Sequence, residues 1–212
     1  MKYKHIIWDW NGTLLNDRWL CVEGINQGLN KRDLPTISDH IYRDVFTFPV
    51  EKYYKKLGFN FEEEPFEVAG DEFVAYYQKC FSKTDLQKDA RFVLSTISKA
   101  NITQSILSAG KHDFLIEWIL SYDLKNYFTN IVGIDNQYAN GKIEQGLTLI
   151  NNLPYNRKDI ILIGDTIHDS EVAEKINVNC ILIDHGHVSN NRLQSTGRKV
   201  FSNLKDILCD VI

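Results

Sequence analysis

Asp9, Ser108, Lys142 and Asp165 offer two carboxylates, a hydroxyl and an ammonium, spread over more than half of a 212-residue chain. Three of them stand at the ends of short apolar runs. Lys4-His5-Ile6-Ile7-Trp8 leads into Asp9, Ile102-Thr103-Gln104-Ser105-Ile106-Leu107 into Ser108, and Ile160-Ile161-Leu162-Ile163-Gly164 into Asp165. A carboxylate closing a buried run is a paired structural charge, a nucleophile or a metal ligand, because such groups are rarely left alone. Taken singly, each residue has an ordinary explanation. Asn11-Gly12 between apolar residues is a strong hairpin signal, and that stretch alone slightly favours a hairpin. Lys142 after Asn140-Gly141 reads as a solvated turn lysine, Ser108 as a strand-end serine, and Asp169 as a charge at a helix N-terminus. Together they read differently. Three apolar runs each ending in a small polar or acidic residue are expected if those ends share one site.

The elements that must position them follow from periodicity. Residues 3–8 predict a buried strand. Residues 17–30 carry apolar positions at helical spacing. Ser38 is a plausible N-cap for a short helix through Phe46, Pro49 the first residue of another with Gly58 as its stop, and Pro65 the start of a longer helix to about Ser82. Residues 16–84 thus look all-helical and aromatic-rich, without a strand. After Asp85, helices and short continuous apolar strands alternate: helix 89–99, strand 102–107, helix 113–121, strand 131–134, a helix from Lys142, strand 160–163, helix 169–176, strand 180–183, and a last helix after Ser202. Continuous apolar strands alternating with helices predict a parallel sheet covered on both faces. Right-handed crossovers make it doubly wound, with ligands at the carboxyl ends of its strands.

Composition narrows the classes. Apolar residues are 43% and charged residues 25%, with a net charge of −4, which fits a soluble globular protein with a sizeable core. No basic stripe suggests nucleic acid, no polybasic segment an anionic membrane, and no run reaches the ~18 apolar residues of a membrane span. The four scattered cysteines fit reduced thiols in a cytoplasmic protein better than a disulfide framework or a zinc site. Asp184-His185-Gly186-His187 reads as a polar loop after a strand rather than a metal cluster.

With the motifs in this order, the chain resembles the haloacid dehalogenase-like (HAD) hydrolases, in particular the phosphoglycolate phosphatase-like subgroup with a helical cap. The resemblance is carried by Asp9-Trp10-Asn11-Gly12-Thr13, then Ser108, then Lys142, then Gly164-Asp165-Thr166-Ile167-His168-Asp169. It implies a Rossmann-like α/β core, a doubly wound parallel sheet, over 1–15 and 85–212, with an inserted all-helical cap over 16–84. It implies a Mg²⁺-dependent phosphatase of a small phosphorylated metabolite. Asp9 is then the nucleophile that forms an aspartyl-phosphate. Asp9, Asp165, Asp169 and the main-chain carbonyl of Asn11 hold the cation. Ser108 and Lys142 stabilise the transferring phosphoryl group, and Gly12, Thr13, Ala109 and Gly110 line its cradle, with backbone N–H groups near Gly12 and Gly110 as donors. The cap sets specificity. Arg43 is its candidate for a carboxylate or second phosphate, His112 and His168 are candidates for substrate contact, and the aromatic residues of 53–81 read as cap core. The expected state is a monomer or weak homodimer.

Residue 11 departs from the pattern. The family's phosphatases carry an Asp there that protonates the leaving group and then activates water. Asn11 transfers no proton at neutral pH. General acid–base catalysis is worth ~10²–10⁴-fold, so the expectation is a slow phosphatase, most impaired with poor leaving groups. The alternatives are a phosphotransferase or mutase using the same phosphoenzyme, and an impaired binding or regulatory relative.

Overall fold

The computed structural model describes residues 2–135 and 141–212. Strand β1 (His5–Trp8) is buried along its whole length, and the other core strands are laid down on either side of it. β2 (Leu15–Asn16) and β3 (Asp85–Leu86) form a separate two-stranded ribbon. Six strands form the main sheet, every pair parallel. Beyond β1, these are β4 (Thr103–Lys111), β5 (Asn130–Ile134), β6 (Ile160–Gly164), β7 (Asn179–Ile183) and β8 (Lys199–Phe201), in the order β5-β4-β1-β6-β7-β8. The chain builds outward from β1 to one side and then returns to build the other. The switch point therefore lies at the carboxyl end of β1, where open α/β sheets bind ligands. Trp8 stands opposite Ile106 on β4 and Ile163 on β6. Asp9, Ser108 and Asp165 consequently emerge side by side.

The period-2 alternation of the strands sorts their side chains onto two faces. Ile6, Trp8, Ile106 and Ile163 pack with Leu94 and Ile97 of α5 (Ala90–Lys99) and Leu115 and Ile119 of α6 (His112–Ser121). Ile7, Leu107 and Leu162 pack on the other face with Ile150 of α7 (Lys142–Asn151) and Val172 of α8 (Ile167–Lys175). Ile6, Ile7 and Trp8 have no exposed surface. Burial of such side chains stabilises by roughly 1.5–3 kcal/mol each, so the strand carrying Asp9 is anchored from both sides.

The helical insert, α1 (Arg18–Lys31), α2 (Asp39–Val45), α3 (Val50–Lys56) and α4 (Phe66–Cys80), packs around its own cluster of Leu20, Ile25, Leu29, Tyr42, Tyr53 and Tyr54. Ser38 caps α2 by accepting from the Ile41 N–H. The chain leaves and returns through the antiparallel ribbon β2/β3, with Leu15 opposite Leu86 and Asn16 opposite Asp85. Asn16 is therefore a strand residue, where 16–84 is expected to be all-helical without an obvious strand. Two residues per strand are too few to show a period. The closing region differs too. Short helix α9 (Asn190–Gln194) and β8 are additions to the expected elements, whereas the helix expected after Ser202 is present as a 3₁₀ turn running into the four-residue α10 (Leu208–Val211). β4 also continues through Ser108, Ala109 and Gly110 to Lys111, with a register irregularity against β5 between Leu107 and Lys111.

Candidate active site

The turn after β1 is tight. The N–H groups of Leu14 and Leu15 both donate to Trp10 O. Gly12 takes φ of 74°, in the region that glycine enters without strain, and a Cβ there would run into the Asp165 carboxylate and His187. Two further carbonyls of the turn are held from outside: Gln87 Nε2 donates to Gly12 O at 3.1 Å, and His185 Nε2 lies 3.1 Å from Thr13 O. Asn11-Gly12 is thus a pinned loop at a parallel strand end and not a hairpin tip.

Asp9, Asp165 and Asp169 are buried, and carboxylate oxygens of all three lie within 4.8 Å of one another. Lys142, 3% exposed, donates to Asp9 Oδ1 at 2.5 Å and to Asp169 Oδ1 at 2.6 Å. It is no solvated turn lysine, although Gly141 before it has φ of 108° and Asn140 lies outside the described residues. Asp169 caps its own helix as well: Oδ2 accepts from Thr166 N and Thr166 Oγ1, and Thr166 Oγ1 accepts from Asp169 N. Thr13 Oγ1 donates to Asp165 Oδ1 at 2.9 Å. Burial raises Asp9 well above the usual carboxylate range, with Asp169 and Asp165 adding repulsion and Lys142 opposing it. Burial likewise pushes Asp165 up to about 6. Burial also works against ionised Asp169, but Lys142 beside it outweighs that and holds it below the usual range. Lys142 itself is raised, since the two carboxylates outweigh its burial.

Above this floor, between the sheet end and the insert, lies a cavity of about 190 Å³ bounded by Asp9, Asn11, Ser108, Ala109, Gly110 and Lys142. Ser108 Oγ accepts from Gly110 N–H at 3.0 Å, which leaves the hydroxyl proton for another partner. Gly12 N–H donates to Asp17 Oδ1 at 2.8 Å, so it and the Gly110 N–H are engaged within their own loops. Thr13 serves the carboxylates rather than the cavity. Arg43 is turned away: its guanidinium donates to the main-chain carbonyls of Asp184 and Val188. His168 meets Phe48 and Glu171, and His112 Nδ1 accepts from Gly133 N–H.

The model of the haloacid dehalogenase-like hydrolases matches residues 6–183. The chain belongs to this family. No curated protein matches the sequence closely enough to be called a relative. Solved structures of the same fold include a predicted phosphatase from Clostridium acetobutylicum, 19% identical with a TM-score of 0.85 over 100% of this chain and 99% of that one. A predicted phosphoglycolate phosphatase from Haemophilus somnus is 16% identical, with a TM-score of 0.83 and the same coverage. A HAD-like hydrolase from Streptococcus pneumoniae also scores 0.83 at 16% identity, again over 100% and 99% of the two chains. At these identities the likeness is one of fold.

In this HAD-like hydrolase, Asp17, Tyr77 and His187, none of them among the expected site residues, support the Asp9–Thr13 loop. Asp17 precedes α1 in the N-cap position but makes no side-chain cap bond. It turns back instead and accepts from Gly12 N–H, from Asn11 Nδ2 at 2.8 Å and from Tyr77 OH at 2.8 Å. His187 Nε2 lies 3.4 Å from Asp17 Oδ1, its main-chain N–H donates to Asp165 Oδ2 at 2.6 Å, and its Nδ1 meets Tyr42 OH. Asp17 outweighs the burial of His187 and raises it to about 9. An Asp at a helix start reads as a cap, which hid Asp17. The polar loop 184–187 was visible, but not the direction in which it folds. Asn11 Nδ2 also contacts Tyr77 OH at 2.9 Å. Only the NH₂ of an amide donates to a carboxylate, so its orientation is fixed and Oδ1 faces Gly110.

The floor suits a divalent cation. Three carboxylates face one ammonium, which leaves two formal negative charges uncompensated in a buried place. Hard oxygen donors of this kind match Mg²⁺.

Proposed function

We propose that this HAD-like hydrolase is a Mg²⁺-dependent phosphatase of a small phosphorylated metabolite, acting through an aspartyl-phosphate on Asp9. The observation that supports it best is the convergence of Asp9, Ser108, Lys142, Asp165 and Asp169 at the switch point, beneath a cavity. Mg²⁺, held by Asp9, Asp165 and the Asn11 carbonyl with Asp169 directly or through water, would neutralise the phosphate's charge. Asp9 attacks phosphorus. Lys142 steadies Asp9 before attack and offers its charge to the phosphoryl oxygens, and the Ser108 hydroxyl donates to the same group. Thr13 and the His187 N–H fix the Asp165 carboxylate. The helical insert is the cap that closes over the site and excludes water.

Asn11 presents a carbonyl oxygen where a proton donor would be needed, so both leaving-group departure and hydrolysis are slow, by about 10²–10⁴-fold against an acid-bearing site. A phosphoenzyme that hydrolyses slowly also favours a second reading, transfer to an acceptor other than water. A screen of phosphorylated metabolites with Mg²⁺, run on wild type and Asp9→Asn, tests the proposal. Turnover lost in the variant with an unchanged circular dichroism spectrum supports it; equal turnover in both contradicts it. Product formation that requires an added acceptor selects the transferase.

A further inference from the structure

The polar groups of the cavity are concentrated on its floor, and its walls are rings. Phe46, Phe48, Phe73 and Tyr77 of the insert and Phe114 and Trp118 of α6 line it. All but Tyr77 are only half-buried: Phe46, Phe73 and Trp118 pack against the cores on one side and leave part of their surface on the cavity. Trp118 lies 5.3 Å from Tyr77 and 6.1 Å from Phe114, centre to centre. Such rings favour edge-to-face or offset contact with another ring. Among the described residues, no cation of the insert lines this space. Arg43 is spent on main-chain carbonyls, Arg18 on Asp39 and the carbonyls of the 185–186 loop, and Arg32 on Glu64 and Glu72. The cations that do line it are Lys142, held between two carboxylates, His187, beside Asp17, and Lys111, whose ammonium sits over the Phe114 ring at 5.1 Å. The insert thus offers no cation to a carboxylate or second phosphate on the substrate. An apolar cavity of about 150 Å³ takes a benzene ring, so about 190 Å³, open on one side, leaves room for a ring above the floor.

We infer that the substrate is an aryl phosphate, a phosphomonoester whose oxygen is borne by a single uncharged aromatic ring. The inference rests on the phosphatase reading and deepens it. It also accounts for Asn11. A phenol has a pKa of about 10, whereas aliphatic alcohols lie near water at about 16. In the first step the Asp9 carboxylate forms its bond to phosphorus. The bond from phosphorus to the aryl oxygen breaks, and the electron pair leaves with the phenolate, which takes its proton from solvent. Water then attacks the aspartyl-phosphate, releasing inorganic phosphate and a proton and restoring Asp9. No proton donor at residue 11 is needed for the first step.

The test compares kcat/KM for phenyl phosphate, benzyl phosphate, phosphoglycolate and a hexose phosphate with Mg²⁺, alongside labelling by acetyl phosphate. Phenyl phosphate is expected to exceed phosphoglycolate and the hexose phosphate by about 10²-fold or more. Benzyl phosphate, which fills the same space but must leave as an alkoxide, is expected to compete with a Ki within a few-fold of the phenyl phosphate KM while turning over far more slowly. Phosphoglycolate or the hexose phosphate matching phenyl phosphate, or benzyl phosphate failing to compete, overturns the aryl assignment. If Asp9 is still labelled by acetyl phosphate, the phosphatase reading stands without it. With neither turnover nor a label on Asp9, both fall.

Discussion

Asn11 is tied into its surroundings through its amide nitrogen. Its amide protons go to Asp17 and Tyr77, and Asp17 also holds the Gly12 N–H. Substituting Asn11→Asp alone therefore sets a carboxylate oxygen against the Asp17 carboxylate. We expect it to cost about 1–3 kcal/mol of stability, the penalty for a buried polar pair turned repulsive. Restoring a donor with Asn11→Asp plus Asp17→Asn should recover much of the lost melting temperature and raise turnover of an alkyl phosphate above wild type. Thermal melts and steady-state assays on the two variants check this. A single variant as stable as wild type contradicts the clamp. This is also where the sequence was least legible. The motif Asp9-Trp10-Asn11-Gly12-Thr13 carries its chemistry on its face. The use of Asp17 and His187 depends on a helix cap that bonds elsewhere and a loop that folds inward, and neither has a local signature.

The site is only as rigid as the strands that end in it. Gly133 on β5 shows how little room they leave: a Cβ there would press on Gly110 O and the His112 backbone, at the segment that carries Ser108, Ala109 and Gly110. Gly133→Ala should cost about 1–3 kcal/mol by overpacking and raise KM by displacing the cradle. Urea denaturation and steady-state kinetics measure both. β1 brings a pH dependence of its own. His5 is buried, with Nδ1 2.7 Å from Thr103 Oγ1 and its ring stacked on Tyr155, and burial lowers its pKa from 6.5 to about 4. The folded state therefore binds this proton less readily than the unfolded chain. The stability that neutral His5 contributes is complete above about pH 6.5 and is lost as the pH falls through about 4, a difference on the order of 3 kcal/mol. His5→Gln should flatten that part of the pH–stability curve. An unchanged slope contradicts the assignment. The central strands were legible because they are continuous apolar runs. β8 and the β2/β3 ribbon were not, since two or three residues carry no period and owe their pairing to their neighbours.

At the scale of the molecule, a doubly wound sheet and a helical insert with its own core meet over a charged floor and an aromatic-walled cavity. Three carboxylates against one ammonium make that floor a place where a divalent cation stabilises the folded chain. Saturating Mg²⁺ should raise the melting temperature, EDTA should reverse the rise, and Asp165→Asn should abolish it, as binding linkage requires. A rise of equal size in the variant would place the cation elsewhere. The α/β class and its insert were legible because alternation over a hundred residues averages out local error. The walls of the cavity were not, since aromatic residues at helical spacing predict an insert core equally well, and Phe46, Phe73 and Tyr77 contribute to both.

The central claim is that Asp9 carries the phosphoryl group, and it is tested most directly by trapping. Acid quenching after mixing with Mg²⁺ and acetyl phosphate, followed by peptide mass spectrometry, should find one phosphoryl group on Asp9. It should persist longer in wild type than in the Asn11→Asp plus Asp17→Asn variant and be absent from Asp9→Asn. A phosphoryl group on another residue, or phosphate release that proceeds in Asp9→Asn at the wild-type rate, would contradict the account.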